Sequence, residues 1–260
     1  MYRHADFYEK IGADEEVCSW VREGYEMKLK RWPEASVTKN NKSAMEDPGF
    51  VWNELRRLVK LGVMAEVEEQ PHVVNALSVV FSNKKRLVWD ARALNELIDV
   101  EKIYLESLDD AAELLEENFF AATSDLEAGY FQVGLAEEQR TLLGSAFKNP
   151  DTGRNTYFVS NTMILGERSA VHSFTRLLKP VVKHARLLGW KGIVYVDDFE
   201  HIGKNKDDCI RSRNILKDVA RQAGWLFSEA KEQEPSTCSR FLGYNLNTAS
   251  MKFQVPKTRW

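Results

Sequence analysis

Apolar residues recur at helical spacing in three segments of the chain. In residues 46–62, EDPGFVWNELRRLVKLG, they occupy one face, with Asp47 placed to cap the helix and Pro48 in its first position. Residues 107–119, SLDDAAELLEENF, and residues 169–189, SAVHSFTRLLKPVVKHARLLG, repeat this pattern. The periodicity therefore predicts amphipathic helices in all three segments.

Apolar runs bounded by turn residues predict strands in much of the remaining chain. A polar tip at residues 82–85 separates two of them, and an Asn-Pro-Asp-Thr-Gly turn at residues 149–153 separates two others. From residue 121 onward the order is strand, helix, strand, helix and strands, which is typical of an α+β layer: a small antiparallel sheet with helices on one face. The predicted strands cover residues 73–81, 86–90, 121–125, 130–135, 142–148, 154–161, 193–196, 225–228, 241–246 and 250–255.

The composition is typical of a globular protein. The chain of 260 residues suits one large domain or two small ones, and its 43% hydrophobic content allows a sizeable core. No apolar run approaches the roughly 20 residues that cross a bilayer, and the start lacks the apolar core of a signal peptide. Cys18, Cys209 and Cys238 lie far apart without ligand spacing, which predicts reduced thiols in an intracellular protein, with cytoplasm or nucleus left open. The net charge of −3 does not favour nucleic-acid binding by itself, but a local basic groove is sufficient for it.

Two adjacent aspartates, Asp197 and Asp198, directly follow the apolar run 193–196, and Asp125 ends another predicted strand. If the two strands are antiparallel neighbours, three carboxylates meet and raise one another's pKa values unless cations lie between them. Such an oxygen-rich site suits Mg²⁺, and two ions about 3.5–4 Å apart form the clamp used in phosphoryl transfer. The simpler alternative is a surface turn at the paired aspartates and a helix cap at Asp125.

Several of these segments resemble the motifs of reverse transcriptases. A bare YxDD is a weak signal, whereas six segments in the right order between about residues 71 and 253 are a strong one. The resemblance is closest to the DIRS-like, tyrosine-recombinase kind of retroelement. The matching segments are YVDD at residues 195–198, SDLEAGYFQVGL at 124–135, KKRLVWDARALNELI at 84–98, TMILGERSAVHSFTRLLKPVV at 162–182, GWLFSEAK at 224–231 and SRFLGYNL at 239–246.

The resemblance implies a right-hand polymerase of fingers and palm that adds deoxynucleotides to a primer 3′-hydroxyl on an RNA or DNA template. Asp125 and Asp197 would hold two Mg²⁺ ions, with Mn²⁺ as an alternative, and Asp198 would support the second ion. The main-chain carbonyl of Leu126 would add a ligand. Lys231 would protonate the leaving pyrophosphate, and its alternative is an ordinary surface lysine.

The same resemblance implies contacts with the nucleotide and the primer. Arg86 would grip the triphosphate of a deoxynucleotide, together with either Lys84 or Lys85. Tyr130 would lie under the incoming sugar and exclude a ribose 2′-hydroxyl, unless it is only a core aromatic. The remaining implied contacts are Leu165 and Gly166 beside the incoming base, and Phe241, Leu242 and Gly243 as the primer grip.

The chain departs from the family pattern at residues 163–171, MILGERSAV, where relatives usually read LPFGLSSAP. Glu167 would place a negative charge near nucleic-acid phosphates and weaken binding, and Arg168 offers a compensating charge. The sequence ends soon after the primer grip, so no thumb is expected. The RNase H and recombinase domains of a longer polyprotein are also expected to be missing.

Two other functions stay open on the sequence. A nucleic-acid-binding or scaffold protein derived from a retroelement is favoured by the altered segment and the missing thumb. Another Mg²⁺-dependent palm enzyme, such as a nucleotide cyclase, does not explain the fingers segment. The predicted regions are a mostly helical N-terminal extension at residues 1–70, fingers at 71–122, palm with the first metal motif at 123–145, strands of fingers and palm at 146–165, palm and primer grip at 166–255, and a tail at 256–260.

Overall fold

The computed structural model describes residues 2–256, apart from the side chain of Tyr2. In this part of the chain no helix is both long and apolar enough to cross a membrane. The α-helices are α1 (Ala5–Lys10), α2 (Glu15–Glu23), α3 (Lys42–Met45), α4 (Pro48–Lys60), α5 (Arg92–Asn95), α6 (Leu108–Leu114), α7 (Ala170–Leu187) and α8 (Lys206–Gln222).

Helix α4 forms where the apolar periodicity and the capping residues predict it. The Asp47 side chain accepts a hydrogen bond from the backbone N–H of Phe50, which satisfies one of the free donors in the first turn. Pro48 is the first helical residue, where its missing N–H costs nothing. Val51 and Leu55 lie on the buried face of the helix.

The strands form several separate sheets, and the predicted hairpin around residues 82–85 is one of them. Strands β4 and β5 make this two-stranded hairpin. The strands are β1 (Ser36–Val37), β2 (Met64–Val67), β3 (Val73–Val74), β4 (Ala76–Phe81), β5 (Lys85–Asp90), β6 (Phe120–Asp125), β7 (Gly144–Lys148), β8 (Asn155–Ser160), β9 (Gly192–Tyr195), β10 (Asp198–Gly203), β11 (Cys238–Phe241), β12 (Tyr244–Asn247) and β13 (Lys252–Gln254).

The first 70 residues are built into the fold and do not stand apart from it. Strands β1 and β2 form the two edges of a five-stranded sheet with the order β1-β3-β7-β8-β2. The β1–β3 and β3–β7 pairs are parallel, whereas β8 is antiparallel to both β7 and β2. The region predicted as an N-terminal extension therefore shares a hydrogen-bonded sheet with residues 144–160.

A second sheet, with the order β6-β10-β9, is antiparallel throughout. Phe199 on one of its faces belongs to the main core, which α7 and α8 also line. Ile193 and Ile202 lie on the opposite face, in a smaller apolar cluster with Phe241 and Leu246 of the β11–β12 hairpin. Helix α6 also packs into this smaller cluster. The sheet is thus covered on both faces, by two long helices and by a hairpin with a short helix.

Some predicted boundaries are wrong. Helix α6 ends at Leu114 rather than at residue 119, because Leu115 is already extended, with φ −90° and ψ 130°. The chain then turns at Asn118, which has a φ of 64°. The backbone N–H of Asn118 then bonds to the carbonyl of Thr248, 3.2 Å away, so the loop is held by a distant strand end. Residues 225–228 form only one bridge, between Phe227 and Leu126. Of the predicted tail, residues 257–260 lie outside the described residues.

The alternating segment 130–135 is not a strand. Residues Gly129–Gln132 form a 3₁₀ turn, which is entered through Ala128 with a φ of 49°. The side chain of Gln132 holds this turn by donating to the carbonyls of Glu127 and Leu226, at 2.7 and 3.0 Å. Alternation predicted a strand here because a short apolar-polar pattern does not separate strands from tight turns.

Candidate active site

Asp125 and Asp198 are direct cross-strand partners. Asp125 is the last residue of β6, and Asp198 is the first residue of β10, which pairs antiparallel with it. Side chains directly opposite in such a pair have Cβ atoms about 4.5–5.5 Å apart, and like charges in this position are destabilising. The fold therefore forces two carboxylates together at one end of the sheet.

Asp197 reaches the same end through a two-residue turn. Tyr195 and Asp198 are paired across the β9–β10 hairpin, so Val196 and Asp197 form its turn. Val196 has a φ of 56°, a strained conformation for a β-branched residue, and its side chain is buried. The carbonyl of Asp197 accepts a hydrogen bond of 3.2 Å from the backbone N–H of Leu126, which ties the turn to the end of β6.

The electrostatics of the site follow from this crowding. Burial, followed by the charges of Asp197 and Asp125, raises the pKa of Asp198 to about 6. Burial and the charge of Asp125 also raise the pKa of Asp197. Burial and then the charge of Asp197 raise the pKa of Tyr130 to about 12. Partial burial, together with three neighbouring carboxylates, accounts for all three shifts.

Lys231 supplies the protein's own positive charge at this site. Its Nζ forms an ion pair with Oδ2 of Asp125, and this partner raises the pKa of the lysine. Oδ1 of the same carboxylate is buried and has no hydrogen-bond partner within residues 2–256. A buried carboxylate oxygen without a donor is suited to a cation, so the donor set fits a divalent metal ion. As the side chains are placed, no three His, Cys, Asp or Glu residues of the described chain already form a ligand group.

An open cleft of about 400 Å³ lies over Asp125 and Asp198, and Asp197 does not line it. Gln233 connects the sheet to the far wall: its backbone N–H donates to the carbonyl of Thr123 at 3.0 Å, and its side-chain amide bonds both backbone groups of Arg240, at 3.2 and 3.3 Å. The lining combines acidic and basic groups with a backbone turn, and it includes Asp125, Asp198, Lys231, Gln233, Arg240 and residues 242–243.

The predicted primer-grip residues lie on this far wall, where β11 turns into β12. Phe241 pairs with Tyr244, so Leu242 and Gly243 form a two-residue hairpin turn with φ values of 47° and 79°. The side chain of Phe241 is buried in the smaller apolar cluster. This buried ring therefore fixes the position of the turn, and Leu242 and Gly243 line the cleft.

The predicted triphosphate contacts lie elsewhere, on the β4–β5 hairpin, and do not line the cleft. Arg86 is exposed and is paired with Val80 in the hairpin ladder. Lys85 forms an ion pair with Asp47 at the start of α4. Lys84 is exposed in the connecting turn. Lys85 is thus held in an ion pair, whereas Lys84 and Arg86 are exposed on the same hairpin.

Tyr130 is half-buried beside the carboxylates. Its ring packs on Phe174 of α7, with the ring centroids 4.9 Å apart. The preceding Gly129 is needed for this approach, because a Cβ there would lie 2.9 Å from the Phe174 ring and 3.3 Å from the Cβ of Asp197. Leu165 is 66% exposed, in the loop before α7.

Glu167 does not present its charge to a nucleic acid, which corrects the expectation from the sequence. The residue is 5% exposed, and its carboxylate accepts hydrogen bonds from the backbone N–H and the hydroxyl of Ser169. Ser169 immediately precedes α7, so the negative charge lies near the helix N-terminus, where it is favoured. Arg168 bonds Asn95 through its backbone N–H, at 2.9 Å, and is exposed.

Sequence reasoning missed a set of polar side chains buried beneath the carboxylates. Glu200 accepts a 2.6 Å hydrogen bond from Ser239, and His201 lies between Ser124 and Trp190, at 2.7 and 3.0 Å. Burial raises the pKa of Glu200 to about 7 and lowers that of His201 to about 3. The signal was present in the sequence DFEHIG, because charged residues interrupt a strand that is otherwise apolar.

Comparison with known proteins gives a consistent result. The family described as "Reverse transcriptase (RNA-dependent DNA polymerase)" matches residues 73–246. The Retrovirus-related Pol polyprotein from transposon gypsy of Drosophila melanogaster is 26% identical over 216 residues, which are 81% of this chain and 20% of that protein. The Enzymatic polyprotein of Cauliflower mosaic virus (strain Strasbourg) is 24% identical over 242 residues, which are 87% of this chain and 34% of that protein.

A solved structure supports the fold. The foamy viral protease-reverse transcriptase dRH, in complex with ds DNA, superposes with a TM-score of 0.70 at 15% identity, over 97% of this chain and 47% of that chain. At this identity the match bears on the fold alone, and it agrees with the predicted fingers and palm of an α+β polymerase. The chain spans only a fifth to a third of the length of the two polyproteins.

Proposed function

The chain belongs to the reverse transcriptase family, and from this premise we propose that it forms the fingers and palm of a DNA polymerase. The proposed reaction adds a deoxynucleotide to a primer 3′-hydroxyl on an RNA or DNA template. One observation supports it above all: the register places Asp125 opposite Asp198 at the floor of an open cleft, with a buried carboxylate oxygen that lacks a donor.

The proposed metal ligands are the carboxylates of Asp125, Asp197 and Asp198 and the main-chain carbonyl of Leu126. Two Mg²⁺ ions are proposed, with Mn²⁺ as a substitute. When bound, the ions would neutralise the acidic cluster and stabilise negative charge on the reacting phosphate. The raised pKa of Asp198 supports this assignment, because a carboxylate destabilised in the absence of metal gains the most when a cation binds.

The other side chains of the site have proposed roles in binding and proton transfer. Lys231 carries an exposed ammonium next to Asp125 and would donate a proton from Nζ to the departing pyrophosphate. Tyr130 would pack against the incoming sugar and leave no space for a 2′-hydroxyl. The remaining proposed contacts are Lys84, Lys85 and Arg86 to the triphosphate, Leu165 and Gly166 to the base pair, and Phe241, Leu242 and Gly243 to the primer end.

The proposed partners are a template with an annealed primer and deoxynucleoside triphosphates. The relative solved with ds DNA supports a duplex as ligand. The gypsy and Cauliflower mosaic virus relatives are polyproteins, which supports further domains in a longer product. RNase H and recombinase domains stay predictions. The DIRS-like subclass and the intracellular location stay predictions.

The test is primer extension with purified protein on RNA and DNA templates, in Mg²⁺ and in Mn²⁺. Asp125→Asn and Asp198→Asn provide matched controls, because each keeps the side-chain shape and removes one charge. Extension that both substitutions abolish supports the polymerase. Salt-sensitive binding of the duplex with no extension by the wild-type protein would instead favour the nucleic-acid-binding alternative.

A further inference from the structure

A buried hydrogen bond joins the strand that carries Asp198 to the hairpin on the far wall of the cleft. Glu200 on β10 has no exposed surface, and one oxygen of its carboxyl group accepts a 2.6 Å hydrogen bond from the hydroxyl of Ser239 on β11. Ser239 is itself buried. The second oxygen, Oε2, has no hydrogen-bond partner among the residues that the structure describes. Within residues 2–256, Ser239 is therefore the one hydrogen-bond partner of this fully buried carboxyl group.

Glu200 and Ser239 lie on the two elements that border the cleft, the sheet and the hairpin. Glu200 lies two residues after Asp198, so both side chains point to the same face of the sheet. Ser239 lies in the strand that leads to the turn at Leu242 and Gly243, which borders the cleft. The hydrogen bond thus connects the acidic end of the sheet to the wall where the primer end is proposed to lie.

The segment that leads into the hairpin is also tied to the sheet: Ser236 exchanges two backbone hydrogen bonds with Ala121, at 2.8 and 2.9 Å, and Gln233 links Thr123 to Arg240. Beyond these bonds, Phe241 and Leu246 of the hairpin belong to one apolar cluster with Ile193 and Ile202 of the sheet. Apolar contact is non-directional, so Glu200 and Ser239 add a directional contact between β10 and the hairpin itself. A buried hydrogen bond has a preferred length and angle, and it costs free energy when it is broken in a place that water does not reach.

We infer that Glu200 is a positioning residue, which fixes the 238–247 hairpin relative to Asp125 and Asp198 through its hydrogen bond to Ser239. The kinetic part of this inference rests on the proposed function. The structural part, that the hydrogen bond fixes the position of the hairpin, concerns the protein without nucleotide or nucleic acid. A loss of alignment on the order of 1 Å between primer end and reacting groups can cost about 10²-fold in rate.

The kinetic experiment compares Glu200→Leu, Glu200→Gln and Ser239→Ala. The leucine variant removes the acceptor, whereas the glutamine variant keeps an oxygen that Ser239 can bond. We expect the leucine and alanine variants to fall about tenfold or more in kcat/KM for the primer–template, with a smaller change in KM for the deoxynucleotide. The glutamine variant should recover most of this loss. Ser145→Ala is the matched control, because Ser145 is also buried in a strand and its hydroxyl has no recorded partner in residues 2–256.

Melting temperature separates positioning from a purely structural role. Replacement of both partners in Glu200→Leu/Ser239→Ala is expected to leave the protein about as stable as the wild type, because neither buried polar group then lacks a partner. A slower but equally stable double variant supports positioning. Wild-type kinetics in both Glu200→Leu and Ser239→Ala, within about twofold, would overturn it.

Hydrogen exchange tests the same inference without catalysis. In Ser239→Ala, the amides of residues 239–247 should exchange about tenfold faster than in the wild type, while those of residues 199–203 keep their rates. Unchanged exchange in the hairpin overturns the inference whether or not the protein extends primers. If the wild-type protein fails to extend primers, the proposed polymerase function fails, and the exchange rates alone then decide the role of Glu200.

Discussion

Lys231 and Asp125 form an ion pair in the cleft, between Nζ of the lysine and Oδ2 of the aspartate. The lysine side chain is 62% exposed, whereas the aspartate is 12% exposed. The carboxylate is therefore largely enclosed, whereas the lysine side chain lies mostly in solvent. The protein thus places its own positive charge where a metal ion is proposed to bind.

Removal of this ammonium should strengthen metal binding. We expect Lys231→Met to bind Mn²⁺ a few-fold more tightly than the wild type, because one competing positive charge beside Asp125 is lost. The same variant should extend primers about 10²–10⁴-fold more slowly if Lys231 is the proton donor. Mn²⁺ titration by calorimetry and single-turnover extension measure the two effects. Lys60→Met, on the surface of α4, is the control, and weaker Mn²⁺ binding by Lys231→Met would contradict the competition.

Asp198 should lower the stability of the metal-free protein near neutral pH. Its pKa rises from 3.8 to about 6 on folding, so the folded protein resists ionisation and stability falls as the pH rises from about 4 through 6. Without divalent cations, Asp198→Asn should therefore be more stable than the wild type at about pH 8, by roughly 1–3 kcal/mol. Chemical denaturation with a chelator present measures this difference.

Added Mg²⁺ should make the wild-type protein more stable than Asp198→Asn. The wild-type melting temperature should rise with Mg²⁺ more at about pH 8 than at about pH 5, because protons compete for the same carboxylates at low pH. Asp125→Asn and Asp198→Asn should show little response. An equal Mg²⁺ response in wild type and both variants would remove these aspartates from the metal site.

Tyr130 tests whether sugar selection is steric. Tyr130→Ala should incorporate ribonucleotides more readily relative to deoxyribonucleotides, because the ring beside Asp197 is removed. The ring also packs on Phe174, so a loss of stability of up to about 3–5 kcal/mol is expected as well. Phe131→Ala, which removes the neighbouring aromatic ring, is the control for stability alone. A folded Tyr130→Ala protein with unaltered sugar selectivity would exclude this role.

Glu167 and Arg86 should differ in their effect on nucleic-acid binding. Glu167 is buried against Ser169, so Glu167→Gln should leave the salt dependence of duplex binding unchanged. Arg86 is exposed, and Arg86→Gln should reduce the slope of log K against log salt by about one if it contacts a phosphate. Fluorescence anisotropy over a range of salt concentrations measures both slopes. A changed slope for Glu167→Gln alone would reverse this assignment.

His201 should make the protein sensitive to acid. Its pKa falls from 6.5 to about 3 on folding because of burial and then the nearby charges of Arg213 and Lys217. The unfolded chain therefore binds a proton that the folded chain rejects, and stability is lost as the pH falls from 6.5 towards 3. His201→Gln should flatten this dependence, and His184→Gln should not. Parallel curves of unfolding free energy against pH for wild type and His201→Gln would contradict this prediction.

Local features of the fold could be predicted from the sequence because their causes are local. Helix α4 follows from apolar periodicity with Asp47 and Pro48 at its start, and the β4–β5 hairpin follows from two apolar runs around a polar tip. The ends of two predicted strands, together with the family resemblance, predicted that Asp125 and the YVDD segment lie together. The register of β6 and β10 places Asp125 opposite Asp198, which agrees with that expectation.

The interactions that were missed join residues far apart in sequence. Nothing in residues 36–37 indicates that they would form the edge of a sheet with residues 144–160. Ser239 lies 39 positions from Glu200, so the bond between them has no sequence pattern. Glu167 looked exposed because its loop is polar, and only tertiary packing against Tyr25 and Ser169 buries it.

The pairing of β6 with β10 also sets an order of events during protein synthesis. Residues 120–125 leave the ribosome before their partners at 198–203, and at about 5–20 residues per second the delay is roughly 4–16 seconds. Through this interval the nascent strand exposes unpaired backbone groups, which favour association with other chains. Its sequence, FAATSD, is short and small, and it ends in a charge, so it is a weak template for such association. The aspartate at the cleft end of the strand is therefore also expected to reduce association of the unfinished chain.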